Sequence, residues 1–289
     1  MARAPGIVRR DALERVVVVT APLYVARMVL SNAFYEIDGS HFLATPSTAG
    51  PWDPKLQHGG PVAALLASRI ERAATRADAR VAHFALEFLG PVPVASVEVT
   101  TDVIRPGKKI ALWSARAAVG GRDAARANVW LLATSEGRNA AVRLDEPLPP
   151  IPETAITDFF GSVPRFGQGD ALEWRVTEGA FDAIGPATVW TRMRIPLVVG
   201  EPITPIARVL TMVDSANGIS AELDFADYLF VPVNLTVSLA RYPATEWVGM
   251  RAVSSLASDG VGVTRAHIFD ERGMIGEALQ TLYVEKRAR

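Results

Sequence analysis

The sequence predicts an α+β fold of two tandem repeats, each an antiparallel sheet wrapped around a single central helix. Three observations carry this expectation. Each half carries one amphipathic helix, each helix is followed by a run of alternating strands, and the turns between those strands recur in the same order about half a chain later.

The regular pattern begins near Asn32 with two short strand-like pieces, residues 34–37 and 41–44. A loop carrying Pro46, Gly50, Pro51, Trp52 and Pro54 leads into a helix from about Pro61 to Thr75. Its apolar positions 62, 65, 66 and 70 fall at the i, i+3, i+4 spacing of one buried face, and Pro61 suits a first helical turn, where no amide hydrogen is needed. Alternating strands follow over 83–89, 95–104, 109–119 and 124–134, with turns at Gly90-Pro91, Pro106-Gly107 and Gly120-Gly121. One helix wrapped by a twisted antiparallel meander is the hot-dog pattern.

Between Leu144 and Pro152, four prolines forbid a helix or a central strand, so residues 145–160 are expected to link a first repeat at 31–144 to a second at 161–289. The second half offers strands at 173–176 and 189–195, a helix from about Ile206 to Ile219, then strands over 234–241, 247–255, 261–269 and 275–284. Pro93 and Pro243 lie 150 residues apart, and Gly121 and Gly273 lie 152 apart, so the register holds across the meander. An internal duplication is expected.

With 289 residues, 49% hydrophobic and 21% charged, the chain can bury a large core. Its 30 Lys and Arg nearly cancel 31 Asp and Glu, and no dense basic block appears, which argues against nucleic acid or an anionic membrane surface. A small-molecule partner is expected instead. The absence of cysteine excludes disulfides, a thiol nucleophile and thiolate metal ligation, and fits the reducing cytoplasm, the expected location. His41, His58, His83 and His267 show no metal-ligand spacing, so neither a metal nor another cofactor is expected. Arg9 and Arg10 before the apolar residues 16–19 imitate a secretory signal, but Asp11, Glu14, Thr20 and Pro22 break it, and residues 1–30 read as an extension. No stretch approaches the ~20 apolar residues of a membrane span.

Chemistry is announced at Gln57-His58-Gly59-Gly60-Pro61. Paired glycines let a ligand approach the backbone, and the helix they open presents free N–H groups at the positive end of its dipole, which suits an anion or a polarised carbonyl oxygen. A plain turn before a core helix has the same residues. In the second helix, Asp214 puts a carboxylate among apolar residues, which is costly unless it is paired, used, or turned to solvent or to a backbone group. Asn234 and Thr236 share one face of a strand by the period of two, and Gln280 is a lone amide in an apolar strand, either an inter-strand hydrogen bonder or part of a site. Together these groups could converge on one water.

From about Asn32 to Lys286 the chain resembles the TesB-like (thioesterase II) double-hot-dog acyl-CoA thioesterases. The resemblance rests on residues 57–61, on Ile104-Arg105-Pro106-Gly107-Lys108-Lys109, on Asp214, on residues 234–237 and on Gly276-Glu277-Ala278-Leu279-Gln280. It implies hydrolysis of a fatty acyl-CoA to free acid and CoA, by a water held by an aspartate, a threonine or serine, and a glutamine. Asp214 and Gln280 match that pattern, and Thr236 matches it with Asn234 or Ser238 as substitutes two residues away on the same face. Asp214 is then the general base, Thr236 and Gln280 orient the water, and the amide of Gly60 or Gly59 stabilises the oxyanion. His58 is expected beside the carbonyl, as a loop hydrogen bonder or an acid-base group. Arg105, Lys108 and Lys109 are candidates for the CoA phosphates, against a plain solvated hairpin. Leu65, Leu66 and Phe88 could line an acyl tunnel or be ordinary core. Hot-dog sheets pair edge to edge or back to back, so a homodimer or higher homo-oligomer is expected. The alternatives are a hot-dog hydratase or dehydratase, disfavoured because no histidine accompanies Asp214 in the sequence, and a non-catalytic acyl-CoA or lipid-binding protein.

Overall fold

Alternation along each strand leaves one apolar and one polar face, and the apolar faces close on two helices. The computed structural model describes residues 30–140, 148–153, 163, 165–179 and 183–287. The expected extension, apart from residue 30, and linker positions 145–147 and 154–160 lie outside them.

The first half contains β1 (Tyr35–Asp38), β2 (His41–Ala44), α1 (Gly59–Ala74), β3 (Ala79–Phe88), β4 (Ser96–Arg105), β5 (Ile110–Val119) and β6 (Arg122–Ala133). The second contains a short α2 (Gly167–Asp170), β7 (Leu172–Glu178), β8 (Ala187–Met193), α3 (Pro205–Val213), a short α4 (Ala216–Ile219), β9 (Tyr228–Pro232), β10 (Asn234–Leu239), β11 (Val248–Leu256), β12 (Val261–Asp270) and β13 (Gly273–Lys286). The strands form one sheet in the order β1-β2-β4-β5-β6-β3-β10-β13-β12-β11-β8-β7, with β9 on the far part of β13. That order reads the same from either end: β2, β4, β5, β6 and β3 are mirrored by β8, β11, β12, β13 and β10. Starts of β4 and β11, at 96 and 248, are 152 residues apart, and those of β6 and β13, at 122 and 273, are 151 apart. Two tandem hot-dog repeats are thus present, joined where β3 and β10 pair antiparallel, Leu86 opposite Leu235.

Each repeat's helix lies in the hollow of the sheet, with Leu65, Leu66 and Ile70 of α1 and Ile206, Leu210 and Val213 of α3 fully buried. The two helices run antiparallel against each other. At one end Gly60 sits on the Thr211 carbonyl, so close that a β-carbon would overlap it. At the other, Arg69 of α1 makes a bidentate pair with Glu201 just ahead of α3. The helices are capped alike, α1 by the His58 ring and α3 by the Thr204 hydroxyl, each accepting from an amide of the first turn. Among the described residues no helix is long and apolar enough to cross a membrane.

Candidate active site

The sequence suggests one continuous helix over 206–219, but the structure breaks it. After Val213 the chain turns at Asp214 and Ser215 before α4 begins, so Asp214 caps the C-terminus of α3 rather than lying within a helix. Its carboxylate, almost fully buried, crosses to the other repeat and meets the N-terminus of α1. Oδ2 lies 3.2 Å from His58 Nδ1, and the amides of Gly59 and Gly60 also act on the carboxylate. Oδ1 accepts from Gln280 Nε2 at 3.0 Å, and the same Nε2 reaches the Asp214 carbonyl at 3.1 Å. Gln280 Oε1 accepts the Asn217 amide at 3.3 Å, which fixes the orientation of the glutamine.

Burial pushes the Asp214 carboxyl above the usual carboxylate range; His58, Gln280 and the two glycine amides offset part of that rise. Burial likewise pushes His58 below its ordinary value, with Asp214 pulling the other way. Both groups are therefore biased toward their neutral forms. Gly60 N–H donates to His58 Nδ1 at 3.1 Å. Nδ1 thus faces both the Gly60 amide and the Asp214 carboxylate oxygen.

A cavity of about 390 Å³ opens onto these groups, bordered by His58, Gly59, Asp214 and Asn217 together with Phe88 and Val231. Its walls are mainly apolar. Gly59 is required here because a β-carbon would lie 2.6 Å from Asp214 Oδ2 and would overlap the Phe88 ring.

Several expected residues lie elsewhere. Thr236 pairs with Leu279 and Ala85 on the outer face of the sheet, whereas Gln280 points inward, opposite Thr264. Asn234 and Ser238 share the outer face with Thr236. Asn234 Oδ1 accepts the Thr281 amide, and Ser238 Oγ lies 3.1 Å from His83 Nδ1. The period of two that tied these residues together carries all three away from Asp214. Arg105, Lys108 and Lys109 sit at the opposite end of α1: Arg76, just beyond its C-terminus, donates to Gly107 O at 3.1 Å, and a helix of 16 residues is about 24 Å long. Arg105 itself is turned back on the Ile110 carbonyl. Gly60, expected to offer its amide to an oxyanion, directs it to His58 and Asp214. Leu65 and Leu66 are core, while Phe88 lines the cavity.

The hydroxyls that do share the inner face with Gln280 are Thr264, its direct register neighbour, and Ser254 beyond it. Ser220 Oγ donates to the Ala216 carbonyl, so Ser254 donates to Ser220 at 2.8 Å and Thr264 to Ser254 at 2.7 Å. Polar residues at inward positions of apolar alternation, Ser254 after Val248, Met250 and Ala252, give the same sequence signal that singles out Gln280.

Two tandem hot-dog repeats, with an acid at the C-cap of one helix set against the glycine-opened N-terminus of the other, define the chain as a double-hot-dog protein. Residues 48–132 match the family model of the acyl-CoA thioesterase N-terminal domain and residues 145–284 that of the acyl-CoA thioesterase C-terminal domain. The chain belongs to the acyl-CoA thioesterase family and is a thioester hydrolase. Similar solved structures include a hot-dog protein of unknown function from Alicyclobacillus acidocaldarius (14% identity, 89% of this chain and 97% of that one, TM-score 0.66). Others are acyl-CoA thioesterase II TesB2 from Mycobacterium marinum (14%, 88% and 94%, 0.61) and a TesB protein from Mycobacterium avium subspecies paratuberculosis (16%, 87% and 96%, 0.59). These share the fold. A search of curated proteins gives no match.

Proposed function

We propose that the protein hydrolyses fatty acyl-CoA thioesters with Asp214 as general base. The observation that carries this reading is a buried carboxylate, gripped by groups of both repeats, at the edge of an apolar cavity. Water attacks the thioester carbon and gives a proton to Asp214; the C–S bond then breaks, and the thiolate of CoA takes that proton as the acid departs. Gln280 and the amides of Gly59 and Gly60 hold the carboxylate, so its position is set before substrate arrives. Thr264, opposite Gln280 in register, is the hydroxyl that shares the inner face with it, and Thr236 does not. His58, whose ring borders the cavity beside Asp214, is the side chain suited to donate to the developing oxyanion.

One observation favours a second reading. The sequence shows no histidine beside Asp214, yet the fold supplies one, and a His–Asp pair over an acyl cavity also suits hydration of an enoyl thioester. Thiol release and loss of the enoyl chromophore, followed in parallel on saturated and 2-enoyl-CoA substrates, separate the two. Thiol release from saturated acyl-CoA, lost in Asp214→Asn, is the expected result. Enoyl-CoA consumed without thiol release would replace hydrolysis by hydration.

A further inference from the structure

A thioester has two arms leaving its carbonyl, and a site that holds the carbonyl must hold both. The main cavity supplies one arm. A second, far smaller cavity of about 20 Å³ lies next to it, bordered by Phe166, Ser215 and Phe225. Trp52, His58 and Asn217 line both spaces, so what divides them is one layer of side chains. His58 and Asn217 are fixed by the site. Trp52 is not part of it: it reaches across from the first repeat's proline-rich loop and stacks on Phe225 of the second, ring centres 4.0 Å apart and planes within 11°. Phe230 meets both rings edge-on, at 5.0 Å from Trp52 and 5.2 Å from Phe225, and the Arg287 guanidinium lies 5.4 Å from the indole centre. The loop behind Trp52 is closed by Gly50 N–H donating to Leu56 O at 2.9 Å. Phe225, Phe230 and Arg287 together brace the indole where it lines both cavities.

We infer that Trp52, braced by Phe225, is the end wall of the acyl cavity and sets the longest acyl chain the enzyme accepts. The apolar main cavity takes the acyl arm, and the small cavity is the space the chain would enter if the wall were absent. This rests on the proposed hydrolysis of acyl-CoA.

The test is kcat/KM over saturated acyl-CoAs of increasing length for wild type, Trp52→Ala, Phe225→Ala and Trp52→Phe, with melting temperatures to establish folding. Wild type is expected to reach a limiting length. Trp52→Ala moves that limit to longer chains, each newly accepted methylene raising kcat/KM about fourfold. Phe225→Ala moves it in the same direction, and Trp52→Phe restores a wild-type limit. An unchanged limit in folded Trp52→Ala would overturn the inference, as would an equal fall in kcat/KM at every length, which would put Trp52 on the CoA arm. If wild type releases no thiol from any acyl-CoA, hydrolysis itself fails. Calorimetric binding of alkyl-CoA thioethers of the same lengths then decides the wall separately: a longer limit in Trp52→Ala supports it, and identical limits refute it.

Discussion

Asp214 sits where its own helix penalises it and its neighbour's helix helps it. The C-terminus of α3 presents carbonyl oxygens to the carboxylate, and the N-terminus of α1 presents amides. Burial outweighs the help, so the folded protein holds the proton more tightly than the unfolded chain does. The resulting stability is fully present at low pH and is lost as pH rises through the folded-state pKa. Asp214→Asn should therefore raise the melting temperature at neutral pH while lowering kcat by roughly 10²–10⁴-fold, the usual worth of a general base. A variant both inactive and less stable would contradict this. Because the base must be ionised, the acidic limb of the kcat/KM profile should lie above the ordinary carboxylate value of about 4; a limb at or below it would remove Asp214 from the role. Asp214 and Gln280 were legible in the sequence because each interrupts an apolar period. Thr236 lies on the outer face, which adjacency in sequence does not reveal, and His58 meets its partner only through a contact 156 residues away, between 58 and 214.

At the scale of elements, the site depends on how closely α1 approaches α3. Gly60→Ala forces a methyl into the Thr211 carbonyl and must push the helices apart, at a cost of about 1–3 kcal/mol. Since the same shift withdraws two amides from Asp214, activity should fall further than stability. Equal losses would mean that the helix junction serves packing alone. A second element-level bond lies at the β12–β13 turn, where buried Asp270 is gripped by Arg241 and accepts the amides of Ala244 and Arg272. Burial alone would raise its pKa, but Arg241 and those amides together outweigh it and hold the carboxyl below the usual range. Its stabilisation is present above the unfolded-state pKa and disappears as pH falls through the folded one. Asp270→Asn is expected to cost about 3 kcal/mol at neutral pH and much less in acid, measured by denaturant titration at both pH values. Elements themselves were largely legible, since long alternating strands and amphipathic helices carry strong periods. The break after Val213 was not, because residues 206–219 keep an apolar helical pattern straight through it, and β9 and α2 are too short to show one.

Across the whole molecule, one sheet runs through both repeats and the β3–β10 seam lies at its middle. A chain cut at the linker would expose that edge together with the packed faces of α1 and α3, so residues 161–289 alone should be insoluble or unfolded, and the full chain should melt in a single transition by calorimetry. Two separate transitions would show that the repeats are independent. Duplication was visible in the sequence as a repeated order of turns, but the mirrored strand order and the crossing of functional groups between halves were not, because pairing of β3 with β10 leaves no periodic trace. The mirror has one more consequence. The offset of 146 residues that carries the cap His58 onto Thr204 also carries Ser68 onto Asp214. At that counterpart position Pro205 has no amide to offer where Gly59 has one, the Ser68 hydroxyl is spent on the Leu65 carbonyl, and Arg69 and Glu201 occupy the space between. On the proposed mechanism one of the two related positions is the working centre and the other a clamp, so a tight inhibitor should titrate one equivalent per polypeptide, whatever the number of subunits.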